Sequence, residues 1–194
     1  MIFEATGTEY NKRGAVPQIL EWLDSIIISL FVIIIVFTFF FSIVGVSGPS
    51  MLNTLVDGDK LVISDVGYTP KNGDIVIISR NYGNIASDDE KNSYEEPIVK
   101  RVIAVAGQTV EIKDGDVYVD DVKLEEDYIT SQTDARTFIG KQTVPEGHIF
   151  VLGDNRIVSH DSRSEDIGMV DERYVMGKVL LRFFPITEFE IIKC

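Results

Sequence analysis

Between Asp24 and Asp57 the chain carries no charged side chain, and residues 25–46 inside that gap are almost wholly apolar. The stretch Ile26-Ile27-Ile28-Ser29-Leu30-Phe31-Val32-Ile33-Ile34-Ile35-Val36-Phe37 runs on through Phe39-Phe40-Phe41 to Ile43-Val44. As a helix these 22 residues reach about 33 Å, against a hydrocarbon core of about 30 Å. A core helix of a soluble domain is not apolar on every face at this length. A cleavable leader has an apolar part of only about 7–15 residues, and here 24 residues with four acids come first. The run is therefore expected to be a permanent transmembrane anchor, residues 25–46, between a segment 1–24 and a domain 47–194.

Pro17 suits a helix start, and Trp22 stands where an interfacial aromatic would. Lys12 and Arg13 precede the anchor, against Lys60 close behind it. That two-against-one bias favours residues 1–24 inside, in the cytoplasm, and 47–194 outside, and the family resemblance given below carries most of the expectation of a single-pass protein of the cell membrane in that orientation. The chain holds 18 basic and 31 acidic residues, a net charge of −13, so it repels phosphate backbones and no nucleic-acid partner is expected. Cys194 is the single cysteine. It rules out an intramolecular disulfide and makes a poor metal site, so no metal and no cofactor are expected.

Residues 47–194 read as mainly β. Asp57-Gly58-Asp59, Asn72-Gly73-Asp74 and Asp114-Gly115-Asp116 each precede an apolar run: Leu61-Val62-Ile63, Ile75-Val76-Ile77-Ile78 and Val117-Tyr118-Val119. Further strands are expected at 98–106, 109–112, 148–152, 178–183 and 188–192. The acidic segment 81–96 is expected to be an exposed loop. No strongly periodic soluble helix stands out.

Chemistry gathers in three places: Ser47-Gly48-Pro49-Ser50-Met51-Leu52-Asn53-Thr54-Leu55, then Val99-Lys100-Arg101-Val102-Ile103-Ala104-Val105-Ala106-Gly107, then Gly153-Asp154-Asn155-Arg156-Ile157-Val158-Ser159-His160-Asp161-Ser162-Arg163. Taken singly, each has a plain explanation: a turn leaving a membrane helix, a solvated lysine at a strand end, loop aspartates with local ion pairs. Taken together, with Gly73-Asp74-Ile75-Val76, they resemble the bacterial type I signal peptidases in their compact, single-anchor Gram-positive form. Those are membrane-bound serine endopeptidases that remove signal peptides from exported proteins. The resemblance implies coiled antiparallel β-sheets of the kind shared with the self-cleaving SOS repressors.

Physical chemistry supports a serine/lysine pair independently. A serine hydroxyl needs a base to take its proton. Lysine can serve only when neutral, which at pH 7 holds for about one free lysine in a few thousand, so burial must pull its pKa down. Lys100 enters an apolar stretch. By resemblance Ser50 is the nucleophile and Lys100 the general base, and Ser159 hydrogen-bonds and orients the lysine amine. Asp154 with Arg101, and Asp161 with Arg163, are the bracing ion pairs. Gly153 leaves room for the lysine side chain, and Met51 lines the substrate groove. The implied substrates are secretory preproteins cut after small residues, as Ala-x-Ala; the implied partners are the lipid bilayer and, functionally, the export machinery.

Two positions depart from the family pattern. Gly48 stands where some members carry a serine that completes the oxyanion hole, which leaves Ser50 N–H as one donor and Ser47 as a guess for the other. Asn53 stands where many members have proline, with little chemical consequence expected. His160 sits at a variable position of the third motif and reads as a residue of the surface or of the layer just behind the site, since the base position holds Lys100. A non-catalytic membrane-anchored β module is disfavoured by the presence of both Ser50 and Lys100. A sortase-type cysteine transpeptidase is disfavoured by the terminal place of Cys194.

Overall fold

The computed structural model describes residues 15–79 and 97–192, with side chains from residue 19 onward. The acidic segment 81–96, the basic pair Lys12 and Arg13, and Cys194 lie outside the described residues. Two compact units make up the chain, divided between Phe39 and Phe40.

The first unit is a helix, α1 (Ala15–Phe40). Every side chain from residue 19 to residue 40 is exposed, although Glu21 and Asp24 are the only charges among them. A helix with no polar face and no protein over it needs an apolar solvent, and α1 is about 39 Å long, enough to cross a bilayer. Its few hydroxyls bond within the helix. Ser25, Ser29 and Thr38 donate to the carbonyls of Glu21, Ser25 and Ile34 at 3.0, 2.7 and 2.8 Å. The expected span 25–46 needs correction at both ends. The helix starts earlier and stops at Phe40, and the apolar Ser42–Gly45 form strand β1. β-branched Ile43 and Val44 fit a strand as well as a helix, and pairing with β2 decides between them.

The second unit is antiparallel β structure in two sheets. The larger one takes the order β1, β2 (Lys60–Ser64), β11 (Val175–Phe184), β3 (Ile75–Ile78), β4 (Ile98–Val105), β9 (His148–Leu152) and β10 (Val170–Asp171), with β12 (Glu190–Ile191) also paired to β11. The smaller one takes the order β7 (Val122–Lys123), β6 (Asp116–Val119), β5 (Thr109–Lys113) and β8 (Ile139–Thr143). Register slips in the ladders β4–β9, β11–β3 and β11–β2 curl the large sheet. Fully buried β3 and the apolar part of β9 flank β4, so β4 runs through the interior of the sheet. Three apolar clusters fill the unit. One of them joins Met51 and Leu55 to Leu61, Ile63, Ile75 and Val99, and so seats the turn that follows β1 on the sheet.

Candidate active site

Ser50 opens a tight turn. Leu52 N–H donates to Pro49 O, and the N–H groups of Thr54 and Leu55 donate to Met51 O, at 2.8–3.1 Å. Met51 and Leu55 are 1% and 0% exposed, so their burial pins the turn while Ser50, next to Met51, stays half-exposed. Met51 is thus a core residue and does not line the groove as expected; of this turn Leu52 and Asn53 are exposed. Gly48 has φ +82°, where a side chain would be strained, and its N–H is committed to Asp57 Oδ1 at 2.9 Å. Asn53 also has a positive φ, 86°. Proline is locked near −65°, so it does not fit this turn as it stands, and the exchange is more than neutral.

Lys100 comes from β4, paired with Val76 of β3. Its Nζ donates to Ser50 Oγ at 2.9 Å and to Val99 O at 3.1 Å, and the residue is 3% exposed. Burial pulls its pKa down to about 8; the charges of Asp161 and Asp154 resist that fall, and Arg163 adds to it. About one molecule in ten then holds a neutral lysine at pH 7, a gain of several hundredfold over a free lysine.

The third motif packs against both. Asn155 N–H donates to Ser50 O at 2.9 Å, and Asn155 Nδ2 to Pro49 O at 3.1 Å. A Cβ on Gly153 would stand 2.6 Å from Ser50 O and 2.5 Å from Ser159 Cβ, so only glycine lets these three strands of chain meet. The room that Gly153 leaves is for the Ser50 carbonyl and Ser159, where the lysine side chain was expected. The expected Ser159–Lys100 hydrogen bond is not formed. Ser159 Oγ is buried against Gly153 with the Asp161 carboxyl near it and makes no well-formed hydrogen bond among the described residues, while Lys100 Nζ bonds Ser50 and Val99.

Both bracing pairs are present. Arg101 grips Asp154 through Nε at 2.8 Å and Nη2 at 2.6 Å, and Asp154 also accepts Thr54 Oγ1 at 2.5 Å, which ties the nucleophile turn to the loop. Arg163 Nε and Nη2 donate to Asp161 at 2.7 and 2.9 Å, and Gly153 N–H donates to Asp161 Oδ2 at 3.0 Å. Burial pushes the Asp161 carboxyl up, but the bonds and charge of Arg163 and the Gly153 N–H outweigh it and hold it below its ordinary value. His160 is at the surface, paired with Asp166 at 2.7 Å and with Ser164 at 3.1 Å. A cleft of about 590 Å³ opens beside the loop, with Gln132, Thr137, Ile157 and Ser159 among its walls.

The family described as "Signal peptidase, peptidase S26" matches residues 19–184. The chain belongs to that family. Signal peptidase I of Bacillus licheniformis is 35% identical to it, over 93% of this chain and 97% of that one. Signal peptidase IB of Staphylococcus aureus (strain COL) is 34% identical, over 89% and 93%. A solved signal peptidase I from Enterococcus faecalis V583 is 31% identical over 57% of this chain and 97% of that one, with a TM-score of 0.44. As an S26 peptidase the protein is a serine protease, and with α1 it is a membrane protein.

Motif reading did not single out Glu126 and Tyr128, and it quoted Arg156 without giving it a role. Arg156 is 2% exposed; its Nε donates to Gly153 O at 3.1 Å, and its Nη1 to Glu126 Oε2 at 2.9 Å. Tyr128 stacks on Arg101, 3.9 Å from guanidinium carbon to ring centroid. An arginine inside a motif that already holds one arginine–aspartate pair and the aspartate of a second was the only sequence signal.

Proposed function

We propose that this protein removes N-terminal signal peptides from exported preproteins through a Ser50/Lys100 dyad. The observation that carries the proposal is the 2.9 Å contact between Ser50 Oγ and a lysine buried enough to bring its pKa to about 8. Neutral Lys100 takes the Ser50 proton as Oγ attacks the scissile carbonyl, and returns it to the leaving amine. The acyl-enzyme left on Ser50 is then attacked by a water that Lys100 deprotonates. Ser50 N–H stabilises the oxyanion. The two relatives at 34–35% identity over most of their length, both named as signal peptidases, support this substrate class.

We further propose that cleavage follows small residues, as Ala-x-Ala, and that the catalytic domain lies outside the cell membrane with the segment before α1 in the cytoplasm. The lipid bilayer holds the enzyme beside its substrates, and association with the export machinery is functional. One experiment tests class and orientation together. Wall-less cells making the wild-type chain are given a non-permeant Ala-x-Ala peptide, beside cells making Ser50→Ala or Lys100→Arg. Wild-type cells should cut it outside, and neither variant should, because one lacks the attacking hydroxyl and in the other the guanidinium stays protonated. Activity retained in either variant would sink the dyad, and cleavage that appears only after lysis would reverse the orientation.

A further inference from the structure

Two arginines that serve the site end on one stretch of chain outside the three motifs, between β7 and β8. Glu126 accepts Arg156 Nη1 at 2.9 Å and Arg156 Nη2 at closer range, and Tyr128 donates its hydroxyl to Glu126 Oε1 at 3.0 Å. The Tyr128 ring meanwhile lies against Arg101. From Arg156 the chain of contacts runs to Gly153 O, and Gly153 lies so near the Ser50 carbonyl that a Cβ there would stand 2.6 Å from its oxygen. From Arg101 it runs through Asp154 to Thr54 Oγ1. The nucleophile turn is therefore held at two places, and both lead back to Glu126 and Tyr128. A buried ion pair adds little net stability, because desolvation offsets its attraction. The Arg156 and Glu126 side chains are 0% and 7% exposed, so geometry is the more natural use of the pair.

We propose that Glu126, Tyr128 and Arg156 are positioning residues that clamp the nucleophile turn and the 153–163 loop in one register, keeping Ser50 Oγ within hydrogen-bond reach of Lys100 Nζ. This rests on the Ser50/Lys100 dyad proposed above. None of the three touches the reacting atoms. Their effect is on where Ser50 sits, and a displacement of about 1 Å at a reacting group can cost about 100-fold in rate.

The test uses the full chain in detergent with a soluble Ala-x-Ala peptide, and reads kcat, KM and melting temperature. Ser50→Ala is run first. Cleavage persisting there would remove the dyad itself, whereas silence there leaves the clamp to be judged separately. Arg156→Ala should then lose about 100-fold in kcat with KM within about twofold, and free guanidinium should restore about tenfold by refilling the vacated place. Tyr128→Leu should lose about tenfold in kcat, while Tyr128→Phe, which keeps the ring on Arg101, stays within about threefold of wild type. If Arg156→Ala fails to fold, the Tyr128 pair decides. Wild-type kcat per folded molecule in Tyr128→Leu overturns the clamp. So does an Arg156→Ala defect confined to melting temperature, with no response to guanidinium.

Discussion

On the small sheet Lys113–Glu111, Lys123–Asp116 and Lys141–Asp121 lie at 3.1, 2.7 and 2.7 Å, with side chains 20–70% exposed. Around Ser50, Arg101–Asp154 and Arg163–Asp161 lie at 2.6 and 2.7 Å, with side chains 0–12% exposed. Distances alone do not separate the two groups. Water does. An exposed pair is screened and exchanges its partner for solvent at little cost. A buried pair has lost its solvent already, so removing one member strands the other. The site also uses arginine, whose fork binds both carboxylate oxygens and fixes an angle, where the small sheet uses lysine in all three pairs.

The largest effect expected from this contrast is at Asp154. Asp154→Ala strands a guanidinium that is 6% exposed and takes the acceptor from Thr54 Oγ1. It should cost about 3–5 kcal/mol, lower the melting temperature by roughly 10 °C and abolish cleavage. A melting point unchanged within about 2 °C would show that burial does not distinguish the two groups.

A smaller effect should appear in pH dependence. Lys100 acts when neutral, and its pKa is lowered to about 8, so kcat/KM should rise with pH through a limb centred near 8 and level off above it. The charge of Asp161 holds the lysine pKa up, and that of Arg163 presses it down. Asp161→Asn should therefore move the limb to lower pH in whatever activity it retains. Movement to higher pH would mean that the buried carboxylate does not act on the lysine as its charge requires.

The smallest effect belongs to the exposed pairs. Lys141→Ala should leave kcat unchanged and shift the melting temperature by less than about 2 °C, measured by thermal denaturation in the same detergent. A loss approaching that of Asp154→Ala would erase the contrast.

Much of this was legible in the chain itself. Hairpin signals at Asp57-Gly58, Asn72-Gly73 and Asp114-Gly115 lead into β2, β3 and β6 as expected. Periodicity could not separate β1 from the anchor, because both are apolar and the pairing partner that makes Ser42–Gly45 a strand lies near residue 61. β8 was missed because Ile139-Gly140-Lys141-Gln142-Thr143 has one large apolar residue and sits at an edge of its sheet. Ser50, Lys100 and the two aspartate–arginine pairs came from motifs, and their contacts are visible in the fold. Glu126 and Tyr128 were out of reach for a physical reason: their partners Arg156 and Arg101 are brought to them only by tertiary packing. Met51 illustrates the opposite error, since proximity to the nucleophile in sequence suggested the groove while its thioether side chain fills the core.

Thr54 and Asp154 meet across 100 residues, twice the separation of Ser50 and Lys100. Closing so long a loop comes late, after local hairpins have formed. What holds the Ser50 carbonyl, Asn155 N–H on it and Gly153 beside it, arrives with that closure, on a turn that Met51 and Leu55 seat on the core. A chain made only as far as residue 152 already contains the hydroxyl, the amine and most of the core under Met51 and Leu55, yet lacks the loop that holds the Ser50 carbonyl. The chain thus carries a built-in order of synthesis: the turn that bears Ser50 and the strand that bears Lys100 are both made before the loop that closes on them.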